Sequence, residues 1–169
     1  MRIYKITTRH SQLVDVSTPH LPADLSGVGG GHITILPSTY SNVIQGSWDL
    51  YIDSADYTCA NFSNYNEENG ANGDGVEYKA YMGKGTYTLY LIARKDSVCP
   101  ILKVYIDNSL VATFDMYNDT RIYAYVFKQE NITISEDGLK TIKLLIDGKN
   151  ASSTNYFVYI NTIQFTRTA

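Results

Sequence analysis

Apolar and polar side chains alternate along much of the chain after residue 75. Segments 76–82, 87–93, 102–106 and 156–160 are rich in aromatic and β-branched residues. In the second of these, every other position is apolar: Tyr87, Leu89, Leu91 and Ala93. A period of two is typical of a strand that buries one face, because successive side chains point to opposite sides. The pattern therefore predicts β-strands.

Turn signals separate these segments at short intervals. The dipeptide Asp107-Asn108 lies between segments 102–106 and 110–114, which predicts a tight hairpin. Further strands are predicted at 48–52, 122–127, 132–134, 139–146 and 155–166. Short strands with regular turns indicate a β-sandwich or barrel, and no segment after residue 48 predicts a helix.

The first 45 residues have a different composition. They hold His10, His20 and His32, three of the four prolines, and the glycine-rich run 27–31. Since closely spaced prolines interrupt both helices and strand ladders, we predict an irregular N-terminal arm over 1–45 and one sandwich domain over 46–169. The arm either binds a neighbouring subunit or packs on its own domain. The glycine run predicts a tether, because no helix follows it to form a phosphate site.

Charge and hydropathy exclude several functions. The net charge is −3 and no run of Lys and Arg occurs, so we expect no nucleic-acid partner. No stretch approaches the ~20 apolar residues of a membrane-spanning helix, so we expect no membrane partner. The basic start after Met1 lacks a following apolar region, which predicts synthesis in the cytoplasm without a secretory leader.

Cys59 and Cys99 are the two cysteines of the chain. They either form a disulfide between loops or remain reduced thiols, and the second interpretation is favoured without export. No C-x-x-C motif is present, and the three histidines lack zinc-ligand spacing. We therefore expect no metal and no cofactor.

Catalytic groups are not apparent. Glu67, Glu68 and Asp74 lie in the Asn- and Gly-rich segment 61–75, and glycoside hydrolysis needs two carboxyl groups at a defined separation. A loop of this composition is a poor support for such a pair. No G-x-S-x-G motif occurs. The sequence therefore favours a non-catalytic protein.

Several segments resemble a known family. Segments 73–81 and 84–91 resemble the central strand pair of galactose-binding-like jelly rolls, the β-sandwiches of many carbohydrate-binding modules. Segments 102–107, 138–145 and 157–165 resemble later strands of the same fold, so the resemblance covers about residues 70–166. It implies an all-β jelly-roll β-sandwich of two antiparallel sheets. Family members often hold a structural calcium, but Asn161 stands where an acidic residue is expected.

Two segments combine aromatic rings with amides, the groups that stack on sugar rings and hydrogen-bond their hydroxyls. The candidate glycan-binding residues are Tyr57, Asn61, Phe62, Asn64, Tyr65, Asn66, Tyr117, Asn118 and Tyr123. If the sandwich places both segments at one end, they form a binding groove. In the alternative interpretation these tyrosines belong to edges, to the core or to a subunit interface.

Two functions follow from these observations. The favoured interpretation is a structural protein, a decoration or tail-associated subunit of a phage-type particle that binds other protein subunits and ends on a virion. The alternative is a carbohydrate-binding module or adhesin that recognises a glycan through its Tyr- and Asn-rich loops. The fold by itself does not decide between them.

Overall fold

The computed structural model describes residues 31–52, 60–65 and 70–169. Within these residues the chain forms eleven β-strands and one short 3-10 helix, Pro37–Thr39. The strands are β1 (His32–Ile35), β2 (Asn42–Gln45), β3 (Asp49–Ile52), β4 (Ala60–Ser63), β5 (Gly75–Met82), β6 (Gly85–Lys95), β7 (Ile101–Ile106), β8 (Ser109–Asp115), β9 (Ile122–Ile134), β10 (Gly138–Ile146) and β11 (Tyr159–Arg167).

The strands form two antiparallel sheets. The six-stranded sheet has the order β3-β4-β11-β6-β9, with β1 also paired to β11, and the five-stranded sheet has the order β2-β5-β10-β7-β8. Alternate residues of the long strands fill the space between the sheets, including the fully buried Leu89, Leu91, Leu144 and Ile163. This arrangement confirms the predicted jelly-roll sandwich, because the period-two apolar faces of both sheets meet in one core.

The predicted hairpin at Asp107-Asn108 is confirmed. Ile106 pairs with Ser109, and the two residues between them have φ of 47° and 69°. Positive φ at both central positions is the geometry of a type I′ turn, whose twist matches that of the flanking strands, and Asn and Asp tolerate it well. The prediction was less accurate for β9, because the predicted segments 122–127 and 132–134 are parts of one strand. This strand has bulges at Ala124 and Asn131.

The two ends of the sandwich differ. Residues 46–48, 64–65, 70–74, 96–100, 116–121 and 147–158 connect strands at one end, which we call the loop end. Tight connections at 83–84, 107–108 and 135–137 occupy the other end, which we call the hairpin end. The long connections thus gather at one end, where a binding surface has most room to vary.

The structure includes part of the predicted arm in the sandwich. β1 pairs with β11 in one sheet and β2 pairs with β5 in the other, so these two strands of the segment 1–45 belong to the sheets of the sandwich. The pairing arises because Ile33 and Ile35 lie opposite Phe165 and Ile163, which continues the apolar face of β11. Residues 1–30 lie outside the described residues, and so do His10, His20 and the predicted tether of residues 27–30.

Cys99 is a buried free thiol whose Sγ lies 3.7 Å from the carbonyl oxygen of Arg94. Burial raises the pKa of Cys99 to about 12, so its thiolate is absent at neutral pH. Cys59 lies outside the described residues. Within the described part of the chain, no helix has the length and hydropathy to cross a membrane.

Candidate functional site

Four aromatic rings pack together near the loop end on the outer face of the six-stranded sheet. Tyr65 lies 5.2 Å from Tyr51, 4.9 Å from Phe157 and 6.5 Å from Tyr159, measured between ring centroids. Tyr51 also lies 5.4 Å from Tyr159. We call these four residues the aromatic cluster. Strand pairing assembles it, because β4 lies between β3 and β11 and brings distant parts of the chain side by side.

The members of the aromatic cluster differ in exposure. Tyr65 is 37% exposed and Tyr51 is half-buried, whereas Tyr159 is only 3% exposed. Burial raises the pKa of Tyr159 to about 12, so its hydroxyl stays protonated at physiological pH. The accessible part of the cluster, Tyr65 and part of Tyr51, is an aromatic surface with polar hydroxyl groups, a combination that suits sugars.

Arg94 lies beneath the aromatic cluster. Leu91 and Ala93 point into the core, so alternation along β6 directs Arg94 to the outer face of the sheet. Its guanidinium carbon lies 3.3 Å from the ring centroid of Tyr159, a close cation–π contact. The side chain is only 2% exposed. Arg94 therefore packs against Tyr159 on the buried side of the cluster, where Phe157 is also buried, while Tyr65 and part of Tyr51 are exposed.

Asp96 connects Arg94 to the segment that contains the second group of predicted residues. Its Oδ2 lies 3.4 Å from Nε of Arg94 and accepts a 2.6 Å hydrogen bond from Nε of Arg121. A guanidinium nitrogen of Arg121 lies 3.3 Å from the hydroxyl of Tyr123. The Tyr123 hydroxyl and the Asp96 carboxylate raise the pKa of Arg121, which stays charged. The Asp96–Arg121 pair thus joins the end of β6 to the segment before β9, with the Arg121 side chain 43% exposed.

Asn64 and Asp74 form a second buried network at the loop end. The Asn64 amide donates to Asp74 Oδ2 at 2.8 Å and to the carbonyl oxygen of Tyr156 at 3.0 Å. Its Oδ1 accepts a 2.9 Å hydrogen bond from the Val158 N–H. Asp74 Oδ2 also accepts from the Ala71 N–H at 3.0 Å. One side chain thereby joins the loop after β4 to the segment that leads into β11.

The structure separates the predicted binding residues into groups. Tyr65 belongs to the aromatic cluster, whereas Tyr117, Asn118 and Tyr123 are half-buried beside Asp96. Both groups lie at the loop end. Contacts from Tyr65 through Tyr159, Arg94, Asp96 and Arg121 to Tyr123 connect them.

The remaining predicted residues have other positions. Phe62 is 2% exposed and packs between Trp48 and Tyr40, so its ring belongs to the core. Asn64 is 4% exposed and its amide is used internally. We therefore assign both residues a supporting role and leave them out of the ligand-contacting set. Asn61 lies in β4 opposite Tyr51, while Tyr57 and Asn66 lie outside the described residues.

Sequence reasoning missed several residues of this region, namely Tyr51, Arg94, Asp96, Arg121, Phe157 and Tyr159. Arg94 had a detectable signal, because it is a charged residue that directly follows the apolar run Leu89–Ala93 within a predicted strand. Tyr159 had no such signal, since the sequence does not distinguish it from the other aromatic residues of the predicted strands. Among the described residues, no group of three His, Cys, Asp or Glu side chains lies close enough to hold a metal ion.

Comparisons with known proteins give structural matches. No protein-family model matches the chain, and no curated protein sequence does. A Paenibacillus xanthan lyase matches with a TM-score of 0.62 and 21% identity over 76% of this chain, which spans 12% of the lyase. A carbohydrate-binding module CBM36, in complex with calcium and xylotriose, matches with a TM-score of 0.58 and 18% identity over 79% of this chain and 98% of the module.

A third match is a family 6 carbohydrate-binding module from Clostridium cellulolyticum in complex with xylose. Its TM-score is 0.55, with 16% identity over 81% of this chain and 97% of the module. Identities this low show a shared fold and no more. The chain therefore has the galactose-binding-like jelly-roll fold of these carbohydrate-binding modules, as the resemblance of its strand segments indicated.

Proposed function

We propose that this chain is a non-catalytic carbohydrate-binding module that recognises a glycan at its loop end. The observation that carries the proposal is the aromatic cluster, in which Tyr65 and part of Tyr51 are accessible while Arg94 packs against the buried Tyr159. Sugar recognition combines stacking on such rings with directed hydrogen bonds. The fold supports the proposal, because modules with this fold have been solved with xylotriose and with xylose.

The residues have distinct roles in this proposal. Tyr65, the most exposed ring of the aromatic cluster, stacks on the apolar face of a sugar with Tyr51 beside it. Tyr117, Asn118 and Tyr123 supply hydrogen-bonding groups on the other side of Asp96. Arg94 contacts Tyr159, and Asp96 contacts Arg121 and the Asn118 N–H, so we assign both a positioning role.

The comparisons favour glycan binding over the particle-subunit interpretation, for which none of them gives support. The neighbours include single modules and multidomain enzymes, so a link to glycan-active proteins is part of the proposal. The role of a phage-type particle subunit stays a prediction. It is tested by light scattering, since a particle subunit forms a defined oligomer whereas an isolated module is expected to be a monomer.

Binding is tested first on a glycan array and then by calorimetry, with xylotriose as the first soluble probe. We expect Tyr65→Ala to weaken binding about tenfold, because aromatic stacking contributes roughly 0.5–1.5 kcal/mol beyond burial of the ring. Tyr81→Ala is the matched control, since Tyr81 pairs with Leu139 near the hairpin end. The titration is repeated with calcium and with EDTA, because the neighbouring CBM36 complex contains calcium.

Two results would contradict the proposal at different levels. If the full chain binds no glycan of the array, with or without calcium, the proposed function is refuted. If Tyr65→Ala and Tyr81→Ala bind with unchanged affinity, glycan binding stands but its site lies elsewhere on the molecule.

A further inference from the structure

A cavity of about 140 Å³ opens at the hairpin end, far from the aromatic cluster. The β7–β8 hairpin forms one side, and the end of β9 with the start of β10 forms the other. Five polar residues line it: Asp107, Ser109, Thr133, Ser135 and Lys140. The cavity thus gathers one carboxylate, one ammonium group and three hydroxyls in a small volume.

The charged groups of the cavity are held in place. Asp107 occupies the type I′ turn, and its Oδ1 accepts a 2.9 Å hydrogen bond from the Thr141 N–H. Its Oδ2 lies 3.3 Å from Nζ of Lys140, whose side chain is only 16% exposed. The Thr141 N–H holds the pKa of Asp107 below its ordinary value, so the carboxylate is ionised at neutral pH. A fixed acceptor and a fixed donor therefore lie side by side.

Apolar groups complete the lining. Ile106 and Ile134 are each 5% exposed, and Val111 is half-buried. The volume is well above the roughly 10–15 Å³ that holds one water, and below the roughly 300 Å³ of a pocket for a drug-sized ligand. A ligand of this site is therefore small, rich in hydroxyl groups and partly apolar.

We propose that the cavity at the hairpin end is a second binding site, for a single polyhydroxylated ligand of monosaccharide size. Neighbouring hydroxyls of the ligand donate to the Asp107 carboxylate and accept from the Lys140 ammonium group. The ligand C–H groups contact Val111 and Ile134. The site shares no residue with the loop end. It therefore goes beyond the proposed function, and the two proposals can be tested independently.

The test is an amide-shift titration of the full ¹⁵N-labelled chain by NMR with xylose, glucose and galactose. We expect saturable shifts at the amides of Ser109, Ser135 and Thr141 at millimolar concentrations of at least one sugar. Lys140→Met should weaken the affinity obtained from these shifts at least tenfold. Lys143→Met is the matched control, because Lys143 lies on the same strand but packs over Tyr105 and outside the cavity.

Asp107→Asn is a second variant that keeps the turn, since Asn adopts positive φ readily. It should lose the same shifts while the spectrum stays dispersed, which shows that the chain remains folded. Absence of saturable shifts in the cavity with all three sugars overturns the proposal. Equal titrations for Lys140→Met and Lys143→Met overturn it as well. Shifts confined to the loop end would leave glycan binding intact and remove only the second site.

Discussion

Replacement of Asn64 by alanine tests whether this residue supports the loop end from within. The side chain is 4% exposed and joins Asp74, the Tyr156 carbonyl and the Val158 N–H. Its removal leaves the Val158 N–H without its partner at a fully buried residue and removes one donor each from Tyr156 and Asp74. Each buried polar group left unsatisfied costs about 1–3 kcal/mol.

The three losses are not equal. The Val158 N–H donates to Asn64 Oδ1 at a fully buried residue, whereas Asp74 Oδ2 keeps the Ala71 N–H and the half-buried Tyr156 is closer to solvent. We therefore expect Asn64→Ala to lower the free energy of unfolding by about 2–4 kcal/mol, with most of the loss at Val158. Asn42→Ala is the control, because Asn42 is exposed and its side chain bonds the exposed end of Glu77, so about 0.5 kcal/mol or less is expected.

Urea denaturation followed by tryptophan fluorescence measures both variants. Trp48 is the single tryptophan of the chain, is 7% exposed and stacks 5.5 Å from Phe62, so its emission should change on unfolding. The midpoint shift at unchanged slope gives the difference in free energy. If Asn64→Ala costs no more than Asn42→Ala, the buried network does not support the loop end and the reasoning is refuted.

Three further predictions concern other parts of the molecule. In a Cys59→Ser chain, a thiol reagent at pH 8 should label Cys99 only in urea, because burial raises the pKa of its thiol; full labelling in native buffer would contradict this. The pKa of Asp107 is lower in the folded chain than in the unfolded chain, so its ionised carboxylate stabilises the fold above about pH 4. This stabilisation is lost as pH falls through the folded-state pKa. Asp107→Asn should therefore reduce the fall in unfolding free energy at acidic pH, and parallel curves for both proteins would refute this. Ala124 has a positive φ of 48°, which glycine adopts more easily than residues with a side chain. In urea denaturation, Ala124→Gly should leave the stability unchanged or raise it by up to about 1 kcal/mol, whereas Ala124→Val should lower it by about 1–2 kcal/mol. Equal effects of the two substitutions would contradict a strained bulge.

The outcome for Phe62 and Tyr65 shows why the candidate site was only partly predictable. Both residues lie in a segment of mixed aromatic and amide residues, and composition does not distinguish their roles. In the structure Phe62 faces the core beside Trp48, while Tyr65, just beyond the end of β4, packs against Phe157 on the outer face of the sheet. Their orientation depends on where β4 ends and on which strand pairs with it.

The sequence by itself determined the class of fold and the position of its turns. Alternation with period two marked the buried face of β6, and Asp107-Asn108 marked a tight hairpin, because these signals are local and depend on a few adjacent residues. The tertiary structure decided which residues meet. Arg94, Tyr159 and Tyr65 come together through the order of β4, β11 and β6, and that order follows from the packing of whole apolar faces rather than from any local pattern.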